Sequence, residues 1–434
     1  MGKEFYISMS TSLIENIEKK YQLRHFAWVI VLIASIIQMV GSTIRNVFGV
    51  MVDPMSQEFG WSQGQIGLGY ALAALCTALF SPVAGILGDI IGAKKTMIMG
   101  TVLFLIGMLW TANADSIWEF YLAYGLILGI AQSIYLVPIV PAVVGWFKKR
   151  TGLGTGAMMV AWSIGPALSI QALAICFKYF GWVNTFYVFG ILGALIIGIC
   201  LFFFSDSPEK KGVLPYGVTA EENKLDLSDI NWNTKDQSLI YKTDSFWHLI
   251  NIHFWGCVGH SVILVAVIPM AVSRGLDLVT AAGILSIIAI TSIVSRFAAP
   301  IIGDKYGSKP IIFLSFLGQG LSVLLLLNAN SIFDFYLFAV LFGIPYGGEG
   351  TVVPVINKQY FGRFPMGTTY GWQLLGAGIG MAIGGLIPGV IFDVTGSYNF
   401  AIWVSVISSL WGSVIVLMLN RTNKMIVNSV SYTH

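Results

Sequence analysis

The chain has 434 residues, of which 56% are hydrophobic and only 10% are charged. A soluble domain carries about 25% charged residues, so this composition excludes an ordinary soluble fold and indicates a protein that lies mostly within a lipid bilayer. The net charge of +3 is too small to indicate a nucleic-acid partner. The four cysteines lie in apolar stretches without metal-ligand spacing, so the sequence predicts no metal site.

Apolar stretches of about 20 residues recur along the chain and predict membrane-spanning helices. The first six predicted spans are 27–52, 64–88, 96–113, 118–147, 152–177 and 183–205. Six more follow at 246–273, 279–303, 310–329, 332–360, 368–392 and 398–420. We therefore predict an all-α membrane protein with twelve transmembrane helices in two pseudo-symmetric six-helix bundles.

The longest polar stretch separates the two sets of spans and predicts a connecting loop. The predicted organisation is an N-terminal segment (1–24), a bundle (25–205), the loop (206–244), a second bundle (245–422) and a tail (423–434). Most of the 24 lysines and arginines lie in loops on one predicted side of the membrane. Cytoplasmic loops carry such an excess. We therefore predict cytoplasmic termini in a multi-pass plasma-membrane protein, which we take to be bacterial.

An internal repeat marks the same place in each half. GILGDIIGAKK (85–95) and PIIGDKYGSKP (300–310) align when one is shifted by 215 positions. Each copy lies at the cytoplasmic end of the second span of its half, and two copies in register favour a transporter built from two equivalent bundles. The residues that we assign to a cytoplasmic gate are Gly85, Asp89, Lys94, Gly303, Asp304 and Lys309.

Three stretches carry a family resemblance. GILGDIIGAKK is similar to the loop signature of the major facilitator superfamily, in which an aspartate and basic residues hold the cytoplasmic side closed in one state. WFKKRTGLGTGAMMVAWSIG (146–165) resembles the junction between the fourth and fifth helices of the monocarboxylate transporters and the bacterial oxalate/formate antiporters, and EFGWS (58–62) also resembles this group. The resemblance implies the major facilitator fold and secondary active transport.

One arginine lies deep in the eighth predicted span. At about 1.5 Å per residue, Arg296 is about 12 Å further into the membrane than Asp304, near the middle of a hydrocarbon core about 30 Å thick. A charge at this depth costs about 2.5–3.5 kcal/mol even on the most lenient scale. Arg296 is therefore either a structural ion-pair partner or a site for a carboxylate, which a guanidinium binds through two parallel hydrogen bonds.

The resemblance favours the second role. In the monocarboxylate transporter group an arginine of the eighth helix, eight residues before the loop acid, binds the substrate carboxylate, and Arg296 matches that position. Ser292, another candidate for contacting substrate, stands where animal members carry an aspartate, so the proton-coupling residue is left open. Ala377 stands where oxalate-exchanging relatives carry a lysine, which argues against a doubly charged substrate.

Two titratable residues are candidates for proton coupling. Glu349 in PYGGEGTVVP is the acidic residue that we place in the middle of a span. It is interpreted either as a proton carrier that is released from Arg296 when substrate arrives, or as a static partner of that arginine. His260 in the seventh predicted span is a second candidate for carrying the proton, with a hydrogen-bonded core residue as the alternative.

Five further side chains are candidates for contacting substrate. Arg45 loosely resembles a lysine that monocarboxylate transporters carry near this level, and snorkelling to the outer surface is its alternative role. For the others, packing or anchoring at the membrane interface is the alternative. The five residues are Arg45, Tyr135, Tyr346, Tyr370 and Gln373.

These observations predict a secondary transporter that moves a small, lactate- or pyruvate-like monocarboxylate together with a proton by alternating access. Organic-anion exchange without protons is the alternative within transport, and a transporter-like sensor is the alternative from another class. No nucleophile–base pair or nucleotide motif is recognised, so we expect neither an enzyme nor a cofactor. The expected partners are the monocarboxylate anion, the proton and the lipid bilayer, with no obligatory protein partner.

Overall fold

The computed structural model describes residues 25–219, 240–361 and 365–420. Within these ranges helices form nearly all of the regular structure, and one isolated bridge pairs Phe147 with Tyr216. The segment predicted at 1–24, the middle of the loop predicted at 206–244 and the tail predicted at 423–434 lie outside the described residues.

The N-terminal part begins with three short helices, α1 (Ala27–Gly41), α2 (Thr43–Asn46) and α3 (Phe48–Phe59). It continues with α4 (Gln63–Ile91), α5 (Ala93–Ala112), α6 (Ile117–Phe120), a π-helix (Tyr121–Ile127), α7 (Leu128–Trp146), α8 (Thr151–Met159) and α9 (Ala161–Phe203). A 3₁₀ turn, Glu209–Lys211, follows.

The C-terminal part contains α10 (Asp244–Ser273), α11 (Leu278–Tyr306), α12 (Ser308–Val323), a 3₁₀ turn (Leu324–Leu327), α13 (Ile332–Phe361), α14 (Met366–Thr395) and α15 (Asn399–Met418). In the described ranges, ten helical stretches are long and apolar enough to cross a membrane, and α1 is a shorter apolar helix. This agrees with the all-α membrane class that the sequence predicts.

Several of the predicted spans differ from the helices observed. The first span, predicted as one helix, is divided into α1, α2 and α3, and the hydroxyls of Ser42 and Thr43 donate to the carbonyls of Met39 and Val40 near the first break. The fifth span starts with the short α8 and continues into α9, which also contains the sixth. Gly181 has a φ of 73° within α9, a left-handed value that glycine adopts without strain, so the chain turns there.

Each part of the molecule packs around its own apolar core. Trp146 and Tyr124 are fully buried in the N-terminal core. The C-terminal part has one cluster that contains Phe338 and Phe342 and another that contains Phe316. The packing of the helices within each part is therefore fixed by large side chains, and the polar contacts described below lie between helices.

Two matching polar joints connect the N-terminal and C-terminal parts. The Asp89 carboxylate at the end of α4 accepts hydrogen bonds from the backbone of Gly367 (3.0 Å) and Thr368 (2.6 Å) at the start of α14. The Asp304 carboxylate at the end of α11 accepts one from the backbone of Gly152 (3.2 Å) at the start of α8. We call the end of the molecule that carries both joints the aspartate end.

The joints follow the internal repeat, since both the aspartates and the glycines are separated by 215 positions. A β-carbon at Gly152 would overlap the Pro300 carbonyl, and one at Gly367 would overlap the Gly85 carbonyl. Each joint thus combines a helix N-terminus, an acceptor carboxylate and a glycine that allows two backbones to touch. The repeat that the sequence predicts is therefore present as a repeated contact.

Candidate functional site

The arginine in the eighth predicted span lies on α11, where this helix packs closely against α13. Gly347 on α13 makes this possible, because a β-carbon there would overlap the Ser292 carbonyl of α11. The Arg296 side chain is half-buried; its Nε donates to Ser292 Oγ at 3.4 Å, and its guanidinium carbon lies 5.3 Å from the centre of the Tyr346 ring. Among the described residues, no carboxylate oxygen lies within 4.0 Å of the guanidinium.

The buried acid lies on α13 and has different partners from those predicted. Glu349 is 2% exposed, and its Oε2 lies 3.1 Å from His260 Nδ1 and accepts a 2.7 Å hydrogen bond from Gln319 Nε2. The predicted pairing of Glu349 with Arg296 is therefore wrong for this conformation. The physical reason is that α10 and α12 supply His260 and Gln319 to the same carboxylate oxygen.

The second oxygen of the Glu349 carboxylate, Oε1, differs from Oε2 in its contacts. Glu349 Oε1 is buried and has no hydrogen-bond partner within the described part of the chain. Gly256 on α10 leaves room for it, since a β-carbon there would overlap both Oε1 and the Phe316 ring. The carboxylate consequently has one oxygen in contact with both His260 and Gln319, and one oxygen without a hydrogen-bond partner among the described residues.

The side chains of Cys257 and His253, both on α10, lie close to the His260–Glu349 pair. Donor atoms of Cys257, His260 and Glu349 all lie within 4.8 Å of one another, and all three residues are buried. The buried His253 Nδ1 has no hydrogen-bond partner among the described residues. His260 Nδ1 and Glu349 Oε2 are hydrogen-bonded to each other, so these residues form a buried polar network.

The Tyr346 ring connects the arginine and the acid. Its centre lies 5.1 Å from that of the His260 ring, with an angle of 67° between the planes. A chain of contacts thus links Arg296, Ser292, Tyr346, His260 and Glu349. They come from α10, α11 and α13, with Gln319 added from α12.

Other predicted site residues lie elsewhere. Tyr135 is buried in the N-terminal core, packs against Phe104 and has a hydroxyl without a partner in the described ranges, so it is a packing residue in this conformation. Tyr370 is buried against the N-terminal core, and Gln373 is buried with neither amide atom paired within the described chain. Arg45 lies on α2, and its side chain is outside the described part of the structure.

The predicted gate residues divide into two groups. Asp89 and Asp304 form the joints between the two parts, and Gly85 packs against the Gly367 carbonyl. Gly303 packs against Ser308 and Val352 of its own part, and its carbonyl accepts a hydrogen bond from Gln359 Nε2 (3.0 Å).

The hydrogen bonds observed for the gate lysines lie within the N-terminal or the C-terminal part. Lys94 Nζ donates to the Phe202 carbonyl (3.2 Å), and Lys309 Nζ donates to the Leu417 (3.0 Å) and Leu419 (2.6 Å) carbonyls. These acceptors lie at the C-terminal ends of α9 and α15, where a cation is stabilised by the helix dipole.

Two residues were missed by sequence reasoning. Gln319 is an amide within an apolar span, a signal that could have identified it. Lys358, near the end of the tenth predicted span, donates from the end of α13 to the Phe147 carbonyl (2.5 Å), Thr151 Oγ1 (2.6 Å) and the Lys148 carbonyl (3.3 Å). Lys358 thus links the C-terminal part to the junction between α7 and α8, beside the Asp304 joint.

The comparison with known families decides the identity of the fold. The family model of the Major Facilitator Superfamily matches residues 31–313 and 249–430. The chain belongs to the major facilitator superfamily. This member of the superfamily is similar in fold to the solved proton:xylose symporter XylE bound to 6-bromo-6-deoxy-D-glucose, with a TM-score of 0.71, 16% identity, and coverage of 91% of this chain and 96% of that one.

Its sequence relatives include monocarboxylate transporters, as the sequence predicts. It is 24% identical over 326 residues to the uncharacterized MFS-type transporter YhjX of Escherichia coli K12, covering 73% of this chain and 76% of that protein. It is 23% identical over 339 residues to human monocarboxylate transporter 2, covering 74% of this chain and 70% of that protein.

Proposed function

We propose that this superfamily member is a secondary active transporter that carries a small monocarboxylate together with a proton. The observation that supports this most is the separation of two buried charges. Arg296 has no carboxylate partner among the described residues, while Glu349 is held by His260 and Gln319 instead. A cation that is half-buried in a membrane protein without a fixed anion is suited to bind one that arrives from solution.

Arg296 is the proposed anchor for the substrate carboxylate. Its contacts are a weak hydrogen bond to Ser292 and the face of the Tyr346 ring, so the two terminal nitrogens of the guanidinium are available for a bidentate pair. A lysine would present a single point charge and could not reproduce this geometry.

The His260–Glu349 pair is the proposed proton site. Either the imidazole or the carboxylate can take up a proton, and their hydrogen bond allows the two to share it. The titratable groups that face the pair are His253 and Cys257 from α10 and Tyr346 from α13, and Arg296 from α11 lies on the far contact of the Tyr346 ring. α12 contributes the neutral Gln319 among its contacts, and α15 contains no titratable residue.

The charge of the site explains why anion and proton would travel together. With Arg296 protonated, Glu349 ionised and His260 neutral, the three side chains carry no net charge. A bound carboxylate alone leaves one negative charge, a bound proton alone leaves one positive charge, and both together restore neutrality. Since one charge near the bilayer centre costs about 2.5–3.5 kcal/mol, the singly loaded forms are disfavoured by about 100-fold.

Twelve spans in two bundles and alternating access complete the proposal. We assign α1–α3 to one span, α8 and the first part of α9 to another, and the part of α9 after Gly181 to the next. The aspartate end faces the cytoplasm in this proposal, because the lysines of its loops satisfy the positive-inside rule. The Asp89 and Asp304 joints and Lys358 would then hold the cytoplasmic side closed.

Uptake into reconstituted vesicles tests both assignments. For labelled pyruvate or lactate, an inward proton gradient should stimulate uptake by the wild-type protein. Arg296→Gln should abolish both uptake and exchange, and Arg296→Lys should reduce both. Glu349→Gln should remove stimulation by the gradient but keep exchange of internal for external substrate. Lys305→Gln, an exposed change on the same helix as Arg296, is the matched control and should behave as wild type.

The opposite results in these uptake experiments would contradict the proposal. Undiminished uptake by both Arg296 variants would remove Arg296 from the site. Gradient-stimulated uptake by Glu349→Gln would exclude Glu349 as a required proton carrier. Exchange without protons is the second candidate, and it is favoured by Ser292 standing where the resemblance expects an aspartate. Exchange that no pH gradient affects in the wild-type protein would select it.

A further inference from the structure

The Tyr346 ring lies between the proposed anion site and the proposed proton site. It is 5.3 Å from the Arg296 guanidinium carbon and 5.1 Å from the His260 ring centre. Tyr346 precedes Glu349 by three residues on α13, so the two side chains point from the same face of that helix. Within the described residues, the Tyr346 ring thus contacts both Arg296, which is always a cation, and His260, which becomes a cation when it is protonated.

An aromatic face attracts a cation because the ring carries negative charge density above its plane. When no substrate is bound, the Tyr346 ring attracts the Arg296 guanidinium, whose other contact is the 3.4 Å hydrogen bond to Ser292. A substrate carboxylate would give the guanidinium a stronger, charged partner. Binding of substrate therefore weakens the hold of Arg296 on the Tyr346 ring.

The ring itself is fixed in place and cannot follow the arginine. Phe342, one turn earlier on α13, stacks on Tyr346 with ring centres 5.8 Å apart and planes only 12° from parallel. Phe342 is fully buried in the C-terminal core. When Arg296 turns to a substrate, the Tyr346 ring consequently stays beside His260, where it can stabilise a protonated imidazole.

We propose that Tyr346 is a positioning residue for coupling, whose ring is shared between Arg296 and protonated His260, so that substrate binding favours proton uptake. This inference rests on the proposed function and adds to it the residue through which the two sites communicate. It also predicts reciprocity: a proton on the His260–Glu349 pair strengthens substrate binding by the same factor.

Substrate affinity at two pH values tests the role of the ring. Pyruvate and lactate serve as probes, and their dissociation constants are measured on the purified full-length protein by calorimetry near pH 6 and near pH 8, the range in which histidines titrate. Wild-type protein should bind more tightly at the lower pH. Tyr346→Leu should reduce this ratio of affinities by about three- to tenfold, and Tyr346→Phe, which keeps the ring, should retain it.

Tyr336→Leu is the matched control, because it removes a tyrosine ring of the same helix that contacts neither Arg296 nor His260 in the contacts observed, and it should retain the wild-type ratio. If Tyr346→Leu does not yield folded protein, Tyr346→Met provides the same comparison. If Tyr346→Leu or Tyr346→Met keeps the wild-type ratio of affinities at the two pH values, the inference is overturned. Loss of this ratio in Tyr346→Phe would also overturn it. Loss of binding at both pH values in the leucine variant would also overturn it, since Tyr346 would then be a substrate ligand.

The proposed function fails in a different way. If the wild-type protein binds no monocarboxylate, or binds it equally at both pH values, then the substrate or the proton coupling is wrong irrespective of Tyr346. Suppose instead that the wild-type protein binds more tightly at the lower pH and that Arg296→Gln abolishes binding. If Tyr346→Leu then keeps the wild-type ratio of affinities at the two pH values, only the role of Tyr346 is wrong.

Discussion

Replacing Lys358 should weaken the contact between the two parts at the aspartate end. Its ammonium donates three hydrogen bonds to the α7–α8 junction. A hydrogen bond to a charged group contributes about 1.5–3 kcal/mol, but one buried cation serves all three acceptors and loses its hydration. We therefore expect a net loss of about 2 kcal/mol in Lys358→Met, which shifts the ratio of closed to open aspartate ends by about 30-fold.

Hydrogen–deuterium exchange of the purified protein measures this shift. The Gly152 amide is protected by its hydrogen bond to Asp304, so peptides that cover the start of α8 report opening of this joint. Exchange there should become faster in Lys358→Met. Lys309→Met is the matched control, since the observed hydrogen bonds of Lys309 stay within the C-terminal part. Equal exchange in wild type and Lys358→Met, or equal acceleration in both variants, would refute the reasoning.

Two glycine substitutions give further predictions. Gly256→Ala should lower the free energy of unfolding by about 1–3 kcal/mol, because the new methyl group overlaps the Glu349 carboxylate and the Phe316 ring; a thermal unfolding midpoint at the wild-type value would contradict this. Gly152→Val should slow transport by preventing closure of the joint between α8 and α11, as measured by uptake, whereas Gly145→Ala, where a β-carbon meets no atom within 4 Å, should transport normally.

The spans and the depth of Arg296 could be predicted from the sequence, because both depend on hydropathy and on the fixed rise of a helix. The interruptions of the first span at Ser42 and Val47 could not be, since the average hydropathy of the span is that of one continuous apolar helix. Gly181 ends one helical segment through its positive φ, but 48 glycines occur in the chain, and composition does not indicate which of them turns.

The partners of Glu349 could not be predicted from the sequence for a related reason. Which side chains meet across helices depends on how each helix is rotated about its axis, and a rotation of a few tens of degrees exchanges one neighbour for another. In this fold α10 and α12 direct His260 and Gln319 to Glu349, whereas α11 directs Arg296 to Tyr346. Depth therefore placed the two charges at a common level, but not in contact.

The internal repeat separates what the two parts share from what only one part has. Asp89 and Asp304 occupy equivalent positions, and both accept hydrogen bonds from the start of a helix in the opposite part. The positions equivalent to Arg296 and Glu349, by contrast, are Ser81 and Ile134. The repeat thus preserves the joints between the two parts, whereas the positions equivalent to Arg296 and Glu349 carry uncharged residues.

Lys358 breaks this symmetry at the aspartate end, because its equivalent in the N-terminal part is Val143. Within the described residues, the Asp304 carboxylate accepts the hydrogen bond from Gly152 and Lys358 adds a cationic link beside it, whereas the Asp89 carboxylate accepts from the Gly367 and Thr368 backbone and from the Thr368 hydroxyl (2.7 Å). The stability of the Asp304 joint should therefore depend on Lys358, and that of the Asp89 joint should not. In Lys358→Met, hydrogen exchange should become faster at Gly152 and stay close to the wild-type rate at Gly367, and equal acceleration at both amides would contradict this.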